Sequence, residues 1–255
     1  MTTRMRRRMA VEQRREQLIA VALELFGTRP PDAVSVDDIA AAAGISRPLV
    51  YHYFPGKRTL YEAALRHAAD ELTALFAEPR QGPMGARLLR VVRRFLCFVD
   101  AHGSGFSALL RGGPVAVGAG PASAMIDGAR RAAYEEMLAH LAVRRPGPRL
   151  ELAVRSWISL AETTALLWLD GRRIPRAELE LRLVHDFGAL LAVTAAYDEE
   201  TAEVLGRVLA DEPADGPFAR LVARFGALGA PGAPAATRSA APQSAAPQSS
   251  AVLIS

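Results

Sequence analysis

The chain has 255 residues, half of them apolar, and its 31 Lys/Arg against 27 Asp/Glu give a formal charge of +4. That length suffices for a small module attached to a larger cored domain, while no apolar run approaches the roughly 18 residues of a membrane span. A single cysteine, Cys97, excludes an internal disulfide framework and fits a reducing cytoplasm.

The charge is unevenly placed. Residues 1–60 hold ten Lys/Arg against six Asp/Glu, whereas 61–255 hold 21 of each, so the whole excess sits in the first quarter. A basic head on a neutral body suits contact with a polyanion, and equally a solvated charged end. Residues 1–9, with Arg4, Arg6, Arg7 and Arg8, are expected as a flexible basic arm and lack the apolar block and cleavage site of a secretory signal. A first helix fits 10–27, with Val11, Leu18, Val21, Ala22, Leu25 and Phe26 as its inward stripe, and Pro30 and Pro31 end it.

Ser35 then opens Ser-Val-Asp-Asp-Ile-Ala, a helix start with Ser35 as N-cap and Asp38 in the capping-box position. Ile39, Ala40 and Ala43 give that short helix a small apolar face, and Gly44 admits the left-handed turn that ends it. Ser46 can cap a second helix, Arg47 to about Tyr53, with Pro48 in its first turn. Two short helices joined this way form a helix-turn-helix. The second helix carries Arg47, Pro48, Tyr51, His52 and Tyr53, while Val50 and Phe54 can point inward. Arginine can donate two bonds to a guanine edge, and proline can press on a thymine methyl. Lys57, the only lysine in the chain, begins the next helix, where its ammonium and the free N–H groups suit a phosphate. Tyr51, Tyr53 and Phe54 taken singly would serve equally as core aromatics.

From Val36-Asp37-Asp38-Ile39-Ala40, through Ala43-Gly44-Ile45-Ser46, to Leu49-Val50-Tyr51-His52-Tyr53-Phe54 and Lys57, this stretch resembles the DNA-binding domain of TetR-type repressors. The resemblance covers residues 10–66. It implies base readout by Arg47, Pro48, Tyr51 and His52, and phosphate contacts by Ser35, Tyr53 and Lys57. Arg47 stands where smaller or amide residues are common in that family, so the operator sequence does not carry over.

A connecting helix fits 57–77, and Gln81-Gly82-Pro83 breaks the chain after it. Further helices are expected at 85–101, 104–111, 121–143, 149–170 and 176–197, with shorter ones at 199–211 and 216–227. No stretch alternates with period two between hairpin turns, so the fold class is all-α: an N-terminal three-helix domain joined to a larger helical domain. The expected organisation is 1–9 arm, 10–56 helix-turn-helix, 57–228 helical domain, and 229–255 a disordered Ala/Pro/Ser/Gln-rich tail.

The segment 149–170 is apolar around most of its circumference, and 176–197 is its expected antiparallel neighbour. Two such helices from each of two copies would make a four-helix interface, although one chain could also bury these faces internally. In proteins similar to this one the helical domain dimerises and often encloses a small-molecule pocket. Phe95, Phe98, His102, Phe106, Tyr134, Met137, Trp157 and Trp168 could line an apolar pocket or be ordinary core. The partners so implied are a palindromic double-stranded DNA operator, a second copy of the chain, and a small, largely apolar effector, with no membrane. The reading is a homodimeric, ligand-released repressor. A DNA-binding regulator without effector, or an activator, is the alternative. An enzyme is the remote one, since no HExxH, GxSxG, phosphate-binding glycine loop or Cys/His cluster at metal spacing occurs. No cofactor, metal or catalytic residue is expected.

Overall fold

The computed structural model describes the backbone of residues 2–110 and 121–228, with side chains for 11–103 and 124–227. Within them the chain is helical: α1 (Thr2–Thr28), a 3-10 turn (Pro31–Ala33), α2 (Val36–Ala42), α3 (Arg47–Tyr53) and α4 (Lys57–Phe76) come first. Then follow α5 (Met84–Leu110), α6 (Pro121–His140), α7 (Pro148–Gly171), α8 (Arg176–Ala195), α9 (Glu199–Ala210) and α10 (Pro217–Leu228). The expected tail, 229–255, lies outside the described residues.

Helix α1 begins at Thr2, so the segment expected as an arm is continuous with it. The stretch contains no Gly or Pro and is rich in Arg and Met, which are good helix formers. Its buried stripe is Leu18, Ile19, Ala22, Leu23 and Phe26, whereas Val11 is exposed and Val21 and Leu25 are only partly covered. The true face is thus rotated from the expected one. Leu18, Ile39, Val50 and Leu60, from four helices, and Phe54, just past the end of α3, are almost wholly buried and form the small core of the N-terminal domain.

In the larger domain α5 is central, packing on α1, α4, α7, α8 and α10. It runs through to Leu110 with a kink at Gly103, which separates the two helices expected at 85–101 and 104–111. Leu88, Val92, Phe95, Leu96 and Val99 face inward at helical spacing. That phase puts Cys97 on the outer face, where it is exposed, contrary to the buried thiol its apolar surroundings suggest. Helix α6 stops at His140 rather than 143. Ala142 takes a left-handed φ of 56°, and Val143 N–H returns to the Leu138 carbonyl, closing the helix end.

Helices α7 and α8 pair as expected, and the Trp157 indole N–H donates to the Leu183 carbonyl at 2.9 Å across the pair. Helices α9 and α10 dock on this body. Phe218 lies so close to Gly188 that a Cβ there would meet its ring at 2.9 Å, so α8 needs a glycine at this crossing. Glu212 accepts from Gly85 N–H and from Phe218 N–H, tying the starts of α5 and α10 together. The clusters of both domains merge into one continuous core.

Candidate nucleic-acid interface and ligand cavity

The turn between α2 and α3 is built as its residues require. Ser35 Oγ accepts from Asp38 N–H at 3.0 Å, and Asp38 Oδ2 accepts from Ser35 N–H at 2.8 Å, a complete capping box. Those bonds to Ser35 hold the Asp38 carboxyl below its ordinary pKa of 3.8, with Arg29 adding a smaller effect. Gly44 occupies the left-handed region at φ +65°, and nothing crowds the space a side chain would fill, so its backbone conformation alone favours glycine.

Helix α3 divides its residues cleanly. Val50 and the following Phe54 are buried, while Arg47, Pro48, Leu49, Tyr51 and His52 are exposed and Tyr53 is half-buried. Pro48 lies in the first turn and Ser46 makes no side-chain cap. The Arg47 guanidinium is already engaged: it donates to Asp37 Oδ2 at 3.0 Å and lies 5.6 Å from the centre of the Tyr51 ring. A weaker bond to the Tyr51 hydroxyl at 3.4 Å and the Asp37 charge both raise the arginine pKa. Asp37 has no place among the sequence-derived site residues, because it reads as an ordinary first-turn acid. Only the crossing of α2 and α3 brings it to Arg47.

His52 packs edge-on to Tyr53 at 5.2 Å. Lys57 begins α4, whose N-cap, Gly56, offers no side-chain bond, so the first-turn N–H groups have no side-chain cap. Ser35 sits at the start of α2 with its hydroxyl committed, donating to Asp38 Oδ2 at 2.7 Å.

The second feature is an apolar cavity of about 80 Å³ among α4, α5, α6 and α7. Of the aromatic and Met residues expected at a pocket, Phe95, Phe98, Met137 and Trp157 line it. His102 instead packs against Phe98 with the rings tilted and their centres 4.3 Å apart, near Glu71, and burial holds its pKa below the ordinary 6.5. Tyr134 lies under Arg155, whose guanidinium carbon is 4.2 Å from the ring centre. Trp168 lines a different concavity at the α7–α8 turn and donates to the Ile174 carbonyl at 2.8 Å. The side chain of Phe106 lies outside the described residues.

Sequence reasoning missed the rest of the wall. Leu72 and Phe76 come from α4. Arg130 and Glu162 supply the main polar element, a two-pronged ion pair with contacts of 2.8 to 3.1 Å between α6 and α7. His140 and Glu136 complete the polar lining.

Comparison with known proteins covers both domains. Residues 18–64 match the family model described as bacterial regulatory proteins, tetR family, and residues 84–190 match the tetracyclin repressor-like C-terminal domain. The crystal structure of a tetR-family transcriptional regulator from Streptomyces coelicolor is 68% identical, with a TM-score of 0.81 over 85% of this chain and 97% of that one. The transcriptional activator FasR of Mycolicibacterium smegmatis is 32% identical over 101 residues, 39% of this chain and 46% of FasR. The transcriptional repressor LfrR of the same organism is 38% identical over 85 residues, 32% of this chain and 44% of LfrR. A crystal structure of LfrR in complex with proflavine aligns at 25% identity and TM-score 0.51 over 70% of this chain and 96% of that one. The chain thus spans less than half the length of these two curated relatives.

Proposed function

Since the chain belongs to the TetR family of transcriptional regulators and is a DNA-binding regulator, we propose that it acts as a homodimer on a palindromic operator and releases it when a small, largely apolar ligand enters the α4–α7 cavity. The observation that carries this reading is the division of α3, whose Val50 goes to the core while Arg47, Pro48, Tyr51 and His52 share the solvent side. Those four read bases in the major groove, and Tyr53 and Lys57 hold phosphates on either side. To reach a guanine, the Arg47 guanidinium exchanges Asp37 for the base edge. Ser35 contacts phosphate only by giving up a bond within its capping box, so its main part is to aim α2.

One recognition helix makes few base contacts. Two copies reading half-sites about 34–36 Å apart gain from both. Leu152 and Leu167 on α7 are 66% and 68% exposed and Val193 on α8 is 63% exposed, an apolar surface suited to a four-helix interface with a second copy. The cavity of about 80 Å³ is well below the roughly 300–1,000 Å³ of drug-sized sites. A ligand therefore favours a conformation in which α4 and α6 stand further apart. Because α4 runs from the cavity wall at Phe76 to Lys57 beside α3, parting it from α6 re-aims the reader. The release is limited by the ligand's difference in affinity between the two conformations.

LfrR carries the name of a repressor and FasR that of an activator, so activation is the second reading, its sign set by where the operator lies. The family is one of regulators, and we assign this chain no catalytic step. The cytoplasm is where operator DNA and an exposed free thiol are both accommodated. Among the described residues no helix is long and apolar enough to cross a membrane.

Sedimentation of the purified chain tests the dimer. Wild type at micromolar concentration runs as a dimer, and Leu167→Arg shifts to monomer with unchanged helical circular dichroism and greatly weakened operator binding. A monomeric wild type that still binds operator fully would exclude the mechanism.

A further inference from the structure

Beside the apolar cavity lies an open concavity of about 680 Å³, formed by the start of α5, the end of α6 with the loop after it, and the end of α9. Met84 and His140 belong to the walls of both. The open concavity is rimmed by Arg80, Arg87, Arg144 and Arg207 against Glu135 and Asp211, an excess of two positive charges. Several other arginines of the body are matched: Arg90 and Arg94 clasp Glu78, Arg93 meets Glu180, and Arg130 meets Glu162. Among the described residues, none of the four rim arginines has a carboxylate within ion-pair distance.

The shared wall carries a sharper sign. Arg87 Nη1 lies 2.9 Å from His140 Nδ1, and its Nη2 reaches the His140 carbonyl at 3.4 Å. A guanidinium only donates, so Nδ1 is the acceptor and the ring proton of the neutral imidazole sits on Nε2. Burial first, and then the Arg87 charge, keep that imidazole below its ordinary pKa of 6.5, which favours the neutral ring. His140 Nε2 and Arg87 Nε are both buried and both without a hydrogen-bond partner. Buried polar groups are ordinarily satisfied. Both donors lack an oxygen acceptor, and the positive excess of the rim favours an acceptor that is anionic.

We propose that this arginine-rimmed concavity holds the oxyanion head, carboxylate or phosphate, of an amphiphile whose apolar tail occupies the α4–α7 cavity. The inference rests on the reading of that cavity as the effector site and names the effector's class. Met84 and His140, common to both walls, mark where head and tail join. A free anion would account for the arginines but makes no use of the apolar cavity beside them.

Calorimetric titration of the full-length chain with octyl phosphate, nonanoate, octanol and inorganic phosphate, all below micellar concentrations, tests this. At least one of the two charged amphiphiles binds about tenfold or more tightly than octanol, and raised salt narrows the gap. Arg87 also closes the end of α6, so Arg87→Gln risks misfolding, and the paired substitution of exposed Arg144→Gln with Arg207→Gln is the primary variant. It lowers affinity for the charged amphiphile severalfold and leaves octanol unchanged. Equal binding of octanol and both charged amphiphiles, untouched by the variant, overturns the head site while the cavity stands. Inorganic phosphate binding as tightly as octyl phosphate overturns the bridging amphiphile. If no alkyl probe binds, the cavity reading itself falls and this inference with it.

Discussion

The N-terminal reader and the helical body place their working residues in opposite environments. In the reader they are exposed, and a small core serves to aim them: Val50 and Phe54 anchor α3 so that Arg47, Tyr51 and His52 share its open side. In the body the cavity wall is itself core, since Phe95, Phe98, Met137 and Trp157 are all buried and part of the main apolar cluster. A substitution in the reader should therefore alter binding without altering stability, whereas one in the cavity alters both.

The largest effect expected is on stability. Trp157→Ala removes a buried ring and its bond to the Leu183 carbonyl. It should lower the unfolding free energy by about 3–5 kcal/mol, measured by urea denaturation. A loss below about 1 kcal/mol would mean that the wall is not core and would break the contrast.

Next comes Arg47→Ala, on a side chain with little to hold the fold. Operator affinity should drop about tenfold or more by fluorescence anisotropy, with the urea midpoint unmoved. A shifted midpoint would recast Arg47 as a structural link from α3 to Asp37.

Acid should separate the two regions by pH. His102, His140 and His185, all in the body, titrate below their ordinary 6.5, in each case chiefly because of burial. The unfolded chain then binds more protons than the folded one between the lowered values and 6.5. Stability is consequently full above 6.5 and falls as pH drops through that window. Asp38 in the reader is depressed from 3.8, so the stability it lends is present above 3.8 and lost only as pH falls further, through its folded value. Hydrogen exchange at pH 5 should accordingly show α5, α6 and α8 loosened while α2 stays protected. Simultaneous loosening of α2 would contradict this order.

The smallest effect belongs to Asp37→Ala. It frees the Arg47 guanidinium of its partner at 3.0 Å and should raise affinity for operator and random duplex alike by a few-fold in the same anisotropy assay, leaving the discrimination between them unchanged. The pair is solvent-exposed, and such pairs contribute little.

The same contrast governs what was legible in the sequence. The helix-turn-helix could be read residue by residue because each local demand has its own signature: a hydroxyl cap at Ser35, a left-handed glycine at Gly44, a first-turn proline at Pro48. The α7–α8 pair and the kink at Gly103 were also visible, through apolar periodicity and glycine placement. The cavity was not, because residues lining an internal space and residues filling one have the same chemistry. Hence Trp168 and Tyr134 looked as suitable as Trp157, while Leu72, Phe76 and the Arg130–Glu162 pair went unnoticed until α4, α6 and α7 were brought together. Val11 and Cys97 show a related limit, since a helix's apolar face is easier to infer than its rotation.

The claim on which the rest depends is that α3 reads DNA as half of a symmetric pair. Selection of bound duplexes from a random pool by the full-length chain, repeated at two salt concentrations, tests it most directly. The expected result is an enriched two-fold symmetric site, with half-sites one helical turn or a multiple of it apart, that is lost in Arg47→Ala and Tyr51→Ala. No enrichment, or an enriched site that both substitutions leave untouched, would contradict it.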